Sequence, residues 1–284
     1  MTLVALDWWI IGLYFAAALA VGLWAARRAG KDTKEFFLSG RNMPWWLLGV
    51  SMVATTFSTD TPNLVADIVR QDGVSGNWVW WAFLLTGMLT VFVYAKLWRR
   101  AGVMTDLEFY EIRYSGAPAA FLRGFRALYL GVFFNVMIMA TVTLAAIKIA
   151  GVLLGASPLV TILVAGGVTV AFSALGGLTG VLLTDFLLFV TAMIGSVAAA
   201  VVAVGHPAVG GLDGLLASDV VAGKLSILPD FKDPAAFLPV FVIPLAVQWW
   251  SVWYPGAEPG GGGYIAQRML SARDERDATA ATLL

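Results

Sequence analysis

The chain of 284 residues contains no cysteine and a single histidine, His206. Without cysteine there is no disulfide framework and no thiolate metal site. One histidine leaves no basis for a His-rich metal centre or a Ser-His-Asp hydrolase. Charge is also scarce, at 13% of residues, against roughly 25% in a soluble domain. The 18 basic residues balance the 18 acidic ones, which removes the electrostatic case for binding nucleic acid. What the chain has instead is apolar residues, 60% of the total. They are gathered into long blocks, which a disordered or fibrous chain would not show. The solvent such a chain is built for is lipid.

A membrane helix needs about 20 mostly apolar residues to cross a core of roughly 30 Å. Seven runs qualify, near residues 8–26, 44–69, 78–98, 123–154, 158–175, 180–205 and 236–255. The fourth is long enough to tilt or protrude, and Gly176, Gly177 and Gly180 predict a tight hairpin between the fifth and sixth. Basic residues accumulate in cytoplasmic loops. Here they follow the first span (Arg27, Arg28, Lys31, Lys34, Arg41), the third (Lys96, Arg99, Arg100, Arg113, Arg123, Arg126) and the seventh (Arg268, Arg273, Arg276). Only Arg70, Lys148, Lys224 and Lys232 fall on the other side. The pattern predicts an outside N-terminus and a cytoplasmic segment 256–284. Asp7 stands where a signal peptide would carry a basic region, so the first run reads as a retained helix.

Polar residues at membrane depth are costly and mark a site, a pathway or an internal pair. The second span is the richest case, with Ser51, Thr55, Thr56, Ser58, Thr59, Asp60, Thr61, Pro62 and Asn63 in one stretch. Its proline lacks an amide donor, and interrupted membrane helices expose carbonyls to ions and helix ends to solutes. An ordinary proline kink with back-bonded hydroxyls is the plainer alternative; the density of polar residues favours a site. Asn135, among Phe133, Phe134 and Met137, either faces the same cavity or bonds across packed helices. Asp185, beside Thr184, is either a functional intramembrane carboxylate or a helix-start acid complementing the dipole.

Other features read more simply. Asp67, Arg70 and Asp72 are interfacial, and Glu108 and Glu111 belong to a solvated cytoplasmic helix rather than a catalytic pair. The run Gly260 to Gly263 lacks the following Lys-Ser/Thr of a P-loop and reads as flexible backbone. Tryptophans such as Trp45, Trp46, Trp78, Trp80, Trp81, Trp249 and Trp250 gather at span ends, as an interfacial belt requires. His206 reads as a surface residue.

The run Phe36-Phe37-Leu38-Ser39-Gly40-Arg41-Asn42-Met43-Pro44-Trp45-Trp46, followed by Gly49, Ser51, Ala54, Thr55 and Ser58, resembles the opening of the sodium/solute symporters. This is the group of the sodium/glucose and sodium/proline transporters. Three later stretches agree in order: Thr105 to Arg113, Gly176-Gly177 through Thr184-Asp185, and Gln267-Arg268-Met269-Leu270-Ser271-Ala272. The resemblance implies an all-α membrane protein of the leucine-transporter type, with a leader helix followed by two inverted five-helix repeats. Residues 1–43 would be the leader helix and its loop, 44–205 the first repeat, and 206–284 an outer loop, the first helix of the second repeat and a cytoplasmic segment. Family members are about twice as long, so the chain is expected to be the truncated first half of the fold, without the later helix whose hydroxyls complete the sodium site.

Position by position, the resemblance makes the backbone oxygens of Ala54 and Phe57 sodium ligands. It makes Asp60 and Asn135 substrate contacts and Asp185 the acid near the sodium exit route. Trp253 and Tyr254 are candidates for the inner-gate aromatic. Leu188 stands where many members carry Gln, and Tyr254 to Pro259 with its glycines reads as an insertion before Gln267-Arg268. The expected function is sodium-coupled import of a small organic solute, whether sugar, amino acid or organic acid, by alternating access. Sodium is the coupling ion and no other cofactor is called for. The expected setting is a bilayer, read as a bacterial inner membrane. A transporter-like sensor coupled to a cytoplasmic signalling module is the alternative. An enzyme is not expected, because no paired catalytic constellation is present.

Overall fold

The computed structural model describes residues 3–58, 60–250 and 262–284, with backbone alone at Asp60. Every regular element among them is helical. Helix α1 is Ala5–Ala29, α2 Thr33–Leu38, α3 Trp45–Thr56 and α4 Asp60–Asp72. Helices α5 (Val74–Trp81) and α6 (Leu84–Ala101) meet at a 42° bend. A surface helix α7, Asp106–Arg113, leads to α8, Gly116–Leu154, and α9, Pro158–Val204. Two short helices, α10 (Gly211–Ala217) and α11 (Asp219–Ala222), precede α12, Pro234–Ala246. The chain closes with α13 (Gly263–Ser271) and α14 (Glu275–Leu283).

No residue in the most apolar 18-residue window of α8 or α9 is buried within the protein. That is the surface a helix offers to lipid, because hydrocarbon needs no shielding from hydrocarbon. α1 instead uses small residues to approach α9. Ala18, Gly22, Ala25 and Ala29 are its buried positions. A β-carbon on Gly22 would stand 2.8 Å from Phe172 Cβ, so only glycine lets the two helices come this close.

Among the described residues three helices are long and apolar enough to cross a membrane, four if the bent pair α5 and α6 is one span, and the seven expected spans need three corrections. The second is two helices rather than one, since α3 ends at Thr56 and α4 begins at Asp60. Pro62 is not where the helix breaks. It is the third residue of α4, in the first turn, where an amide donor has no helical acceptor in any case. The fourth span starts earlier than expected, at Gly116, and runs 39 residues. The seventh holds the 13-residue helix α12, about 20 Å long, and its expected end at 251–255 lies outside the described residues. Pro239 and Pro244 each withhold a donor within it, and a π-helical turn occupies Leu238–Val242.

The fifth and sixth spans form the expected hairpin although hydrogen bonding runs through them as one element. Gly177 has φ 53° and ψ −159°. Phe172 O lies 3.9 Å from the β-carbon position of Gly180, whereas eight residues of straight helix would separate them by about 12 Å. The chain therefore folds back at Gly177.

The best-packed core gathers Leu47, Leu48 and Met52 of α3, Ala95 of α6, Leu178 and Leu182 of α9, and Met269, Ala272, Ala278 and Ala281 from the C-terminal helices. Residues 262–284 are thus built into the bundle.

Candidate functional site

α3 leaves helical conformation at Phe57, whose ψ is 107°. The amide of Phe57 donates to Ala54 O at 3.0 Å, and the regular helical ladder ends there. A carbonyl has two lone pairs, so Ala54 O retains acceptor capacity beside that of Phe57. The start of α4 then directs its first amides back toward the gap, with Thr61 N donating to Ser58 O at 3.3 Å. Aromatic contacts fix α3 on the second limb of α9, through Trp46 with Phe186 and Phe57 with Phe189.

One turn before the break, α3 meets a buried ion pair. Asp185 of α9 and Arg268 of α13 are 8% and 3% exposed, and Arg268 Nη2 stands 3.3 Å from Asp185 Oδ2. Ser51 Oγ donates to the same carboxylate oxygen. Arg268 Nε donates to Ser51 Oγ at 3.0 Å, and Nη2 also donates to Thr55 Oγ1 at 3.1 Å. Nη1 donates to Tyr264 O at 3.1 Å. Thr55 Oγ1 donates to Ser51 O at 2.6 Å and lies 3.5 Å from Asp185 Oδ2. An arginine buried this deeply is tolerated because its donors are occupied and its charge is met.

The helix-start explanation of Asp185 does not fit, since Asp185 lies two turns past the fold-back at Gly177 and has a cationic partner. Arg268, which the sequence places among solvated loop charges, is enclosed. A buried intramembrane carboxylate needs a partner, and asking which cation could serve Asp185 is the signal that would have found it.

Asn135 does not join this network. It lines a cavity of about 350 Å³ between α8 and the start of α13, with Asp106, Arg126, Gly131, Gly263 and Tyr264. Asp106 Oδ2 accepts the amide of Gly263 at 3.1 Å, which fixes one wall. Tyr264 connects the two regions, lining the cavity while its ring lies 5.8 Å from the Arg268 guanidinium. Burial pushes its hydroxyl up to about 12, so it stays protonated. Trp253, Tyr254 and the side chain of Asp60 lie outside the described residues. Glu108 and Glu111 each have a partner of their own. Glu108 accepts the amide of Met104 at 2.5 Å, and Glu111 pairs with Arg123 at 2.6 Å.

The site is therefore an interrupted helix above a buried Arg-Asp pair, set in a multi-pass bundle. That combination is one of a multi-pass membrane protein with a broken span, and the comparisons with known proteins make the class specific. The model of the sodium:solute symporter family matches residues 36–284, and the chain belongs to that family, one of transporters and not of enzymes. Sodium/glucose cotransporter 1 of Oryctolagus cuniculus is 31% identical over 184 residues, covering 64% of this chain and 27% of its own. The sodium/mannose cotransporter SLC5A10 of Bos taurus is 26% identical over 186 residues, 65% of this chain and 31% of its own. The matches span less than a third of these relatives' length. A solved Na⁺-coupled sialic acid symporter superposes with a TM-score of 0.69 at 18% identity, over 98% of this chain and 55% of that one. The fold is shared with it.

Proposed function

We propose that the chain supplies the sodium-coupling half of a secondary transporter that imports a small organic solute by alternating access. The observation that carries this reading is the break at Phe57, which leaves the Ala54 and Phe57 carbonyls with spare acceptor capacity inside a span. Sodium is taken there, and Asp185 is the acid on its way out. Asp60, Asn135, Trp253 and Tyr254 contact the solute or close over it. Paired interruptions in corresponding helices of two repeats mark transporter binding sites. The early stop of α12 at Ala246 supports treating it as the counterpart of the broken second span, with residues 44–205 as the first repeat.

Energetically the coupling is sufficient. One sodium ion entering down 100 mV releases about 2.3 kcal/mol before any concentration term. The basic residues place the N-terminus outside and α13 and α14 at the cytoplasmic face. Relatives named for glucose, mannose and sialic acid make sugars and sugar acids the first solutes to try. The test is uptake of labelled sugars, amino acids and organic acids into proteoliposomes holding the complete transporter, both repeats included, under an inward sodium gradient. Accumulation that vanishes when choline replaces sodium is the expected result, and uptake indifferent to sodium contradicts the reading.

A further inference from the structure

We infer that Arg268 is a tethered cation which exchanges with sodium at a station formed by the Asp185 carboxylate and the Ser51 and Thr55 hydroxyls. The inference rests on the sodium-coupled reading above and adds a step to it. In this structure the guanidinium is held by four oxygens: Ser51 Oγ, Thr55 Oγ1, Asp185 Oδ2 and Tyr264 O. Three of the four belong to α3 and α9, so they stay behind when α13 moves. What remains is one carboxylate and two hydroxyls, the hard oxygen donors that suit a small cation.

Position makes the exchange unavoidable. Ser51 is three residues before Ala54 and Thr55 is next to it, so the station begins within about 5 Å of axial rise from the proposed ion-binding carbonyls. The guanidinium occupies the same three oxygens that an ion leaving the break would meet at Asp185. One carboxylate neutralises one cation, and a second positive charge at this distance in a poorly solvated site is repelled. Removing Arg268 with nothing in its place would strand a buried carboxylate, which is strongly unfavourable. Sodium arriving as the guanidinium leaves avoids that state. Arg268 therefore holds α13 against α3 when sodium is elsewhere, and sodium entering the station releases α13 and opens the route out.

Thr184 supplies a reporter. It is buried beside Asp185, and its hydroxyl has no partner among the described residues, so Thr184→Cys breaks no hydrogen bond in a chain without native thiols. The purified protein is treated with a small water-soluble thiol reagent in sodium, potassium or choline chloride. Labelling of Thr184→Cys is expected to be about tenfold faster in sodium than in choline, as for a modest population shift. Adding Arg268→Gln should make it fast in every salt, and Arg268→Lys, which keeps the charge, should leave it slow in choline. Should Arg268→Gln fail to fold, Asp185→Asn with Arg268→Gln removes both charges and is expected to label fast without regard to sodium. Labelling as slow in Arg268→Gln as in its parent, or a sodium response that survives in the double variant, overturns the exchange. Sodium-driven uptake by the parent with no sodium response at position 184 overturns the exchange alone; uptake indifferent to sodium overturns the sodium reading beneath it.

Discussion

Arg268 Nη2 and Asp185 Oδ2 stand 3.3 Å apart although 83 residues separate them in sequence. The pair ties the second half of α13 to the second limb of α9, with Ser51 bonded to both partners. Removing one charge from such a buried pair costs about 3–5 kcal/mol, because the other is left unpaired. Asp185→Asn and Arg268→Met should each lower the thermal unfolding temperature in detergent sharply. The double variant should lose less than the two single losses combined. Strict additivity would mean that the two side chains do not interact.

Gly177 turns the fifth span into the sixth at φ 53°. A β-carbon there would lie 2.9 Å from Phe36 O and 3.0 Å from Ala29 Cβ. Gly177→Ala combines a backbone penalty with a clash against main chain and should destabilise by more than about 1 kcal/mol. Gly195→Ala, with nothing within 4 Å of the added carbon, should be neutral or stabilising by up to about 1 kcal/mol. Unfolding temperatures of the two variants check the contrast.

Arg100 donates two hydrogen bonds to Glu275, at 3.0 and 2.9 Å, and these hold the Glu275 carboxyl below its ordinary value of 4.5. A carboxyl depressed in the folded state stabilises fully above its unfolded value, and the contribution disappears as pH falls through the folded one. The docking of α14 should therefore loosen in acid below about 4.5. Hydrogen exchange across 275–283 should speed up there. Glu275→Gln should flatten that dependence.

The proposed topology, read from the distribution of basic residues, puts the two ends of the chain on opposite sides of the bilayer. Single cysteines at Leu3 and Arg276 report this with impermeant reagents. Leu3→Cys should label from outside and Arg276→Cys only after the cytoplasmic face is opened.

Much of the fold was legible because lipid imposes a length and an apolar composition on each span. The polar stretch and its proline predict a break between Thr56 and Pro62, and it falls there, yet Pro62 itself sits in the first turn of α4. Proline is a marker near a break as well as a cause of one. The bend between α5 and α6 was not readable, since residues 82 and 83 are Ala and Phe, neither of which interrupts a helix. Nor was the burial of α13 and α14. Ala278 and Ala281 touch the core through small side chains, and the neighbouring Arg, Asp and Glu make the segment look like a solvated tail. Arg268 escaped for the same reason: its partner lies in another span, and a tally of loop charges does not identify partners.

Hydrogen exchange of the second span reads the proposed ion site without knowledge of the solute. In sodium chloride, amides from Ala54 to Thr61 should exchange more slowly than in choline chloride, while those of α8 stay unchanged, because an ion held by the Ala54 and Phe57 carbonyls rigidifies the break. Equal exchange through this segment in the two salts, at sodium concentrations that drive uptake, would contradict the placement of sodium at the break.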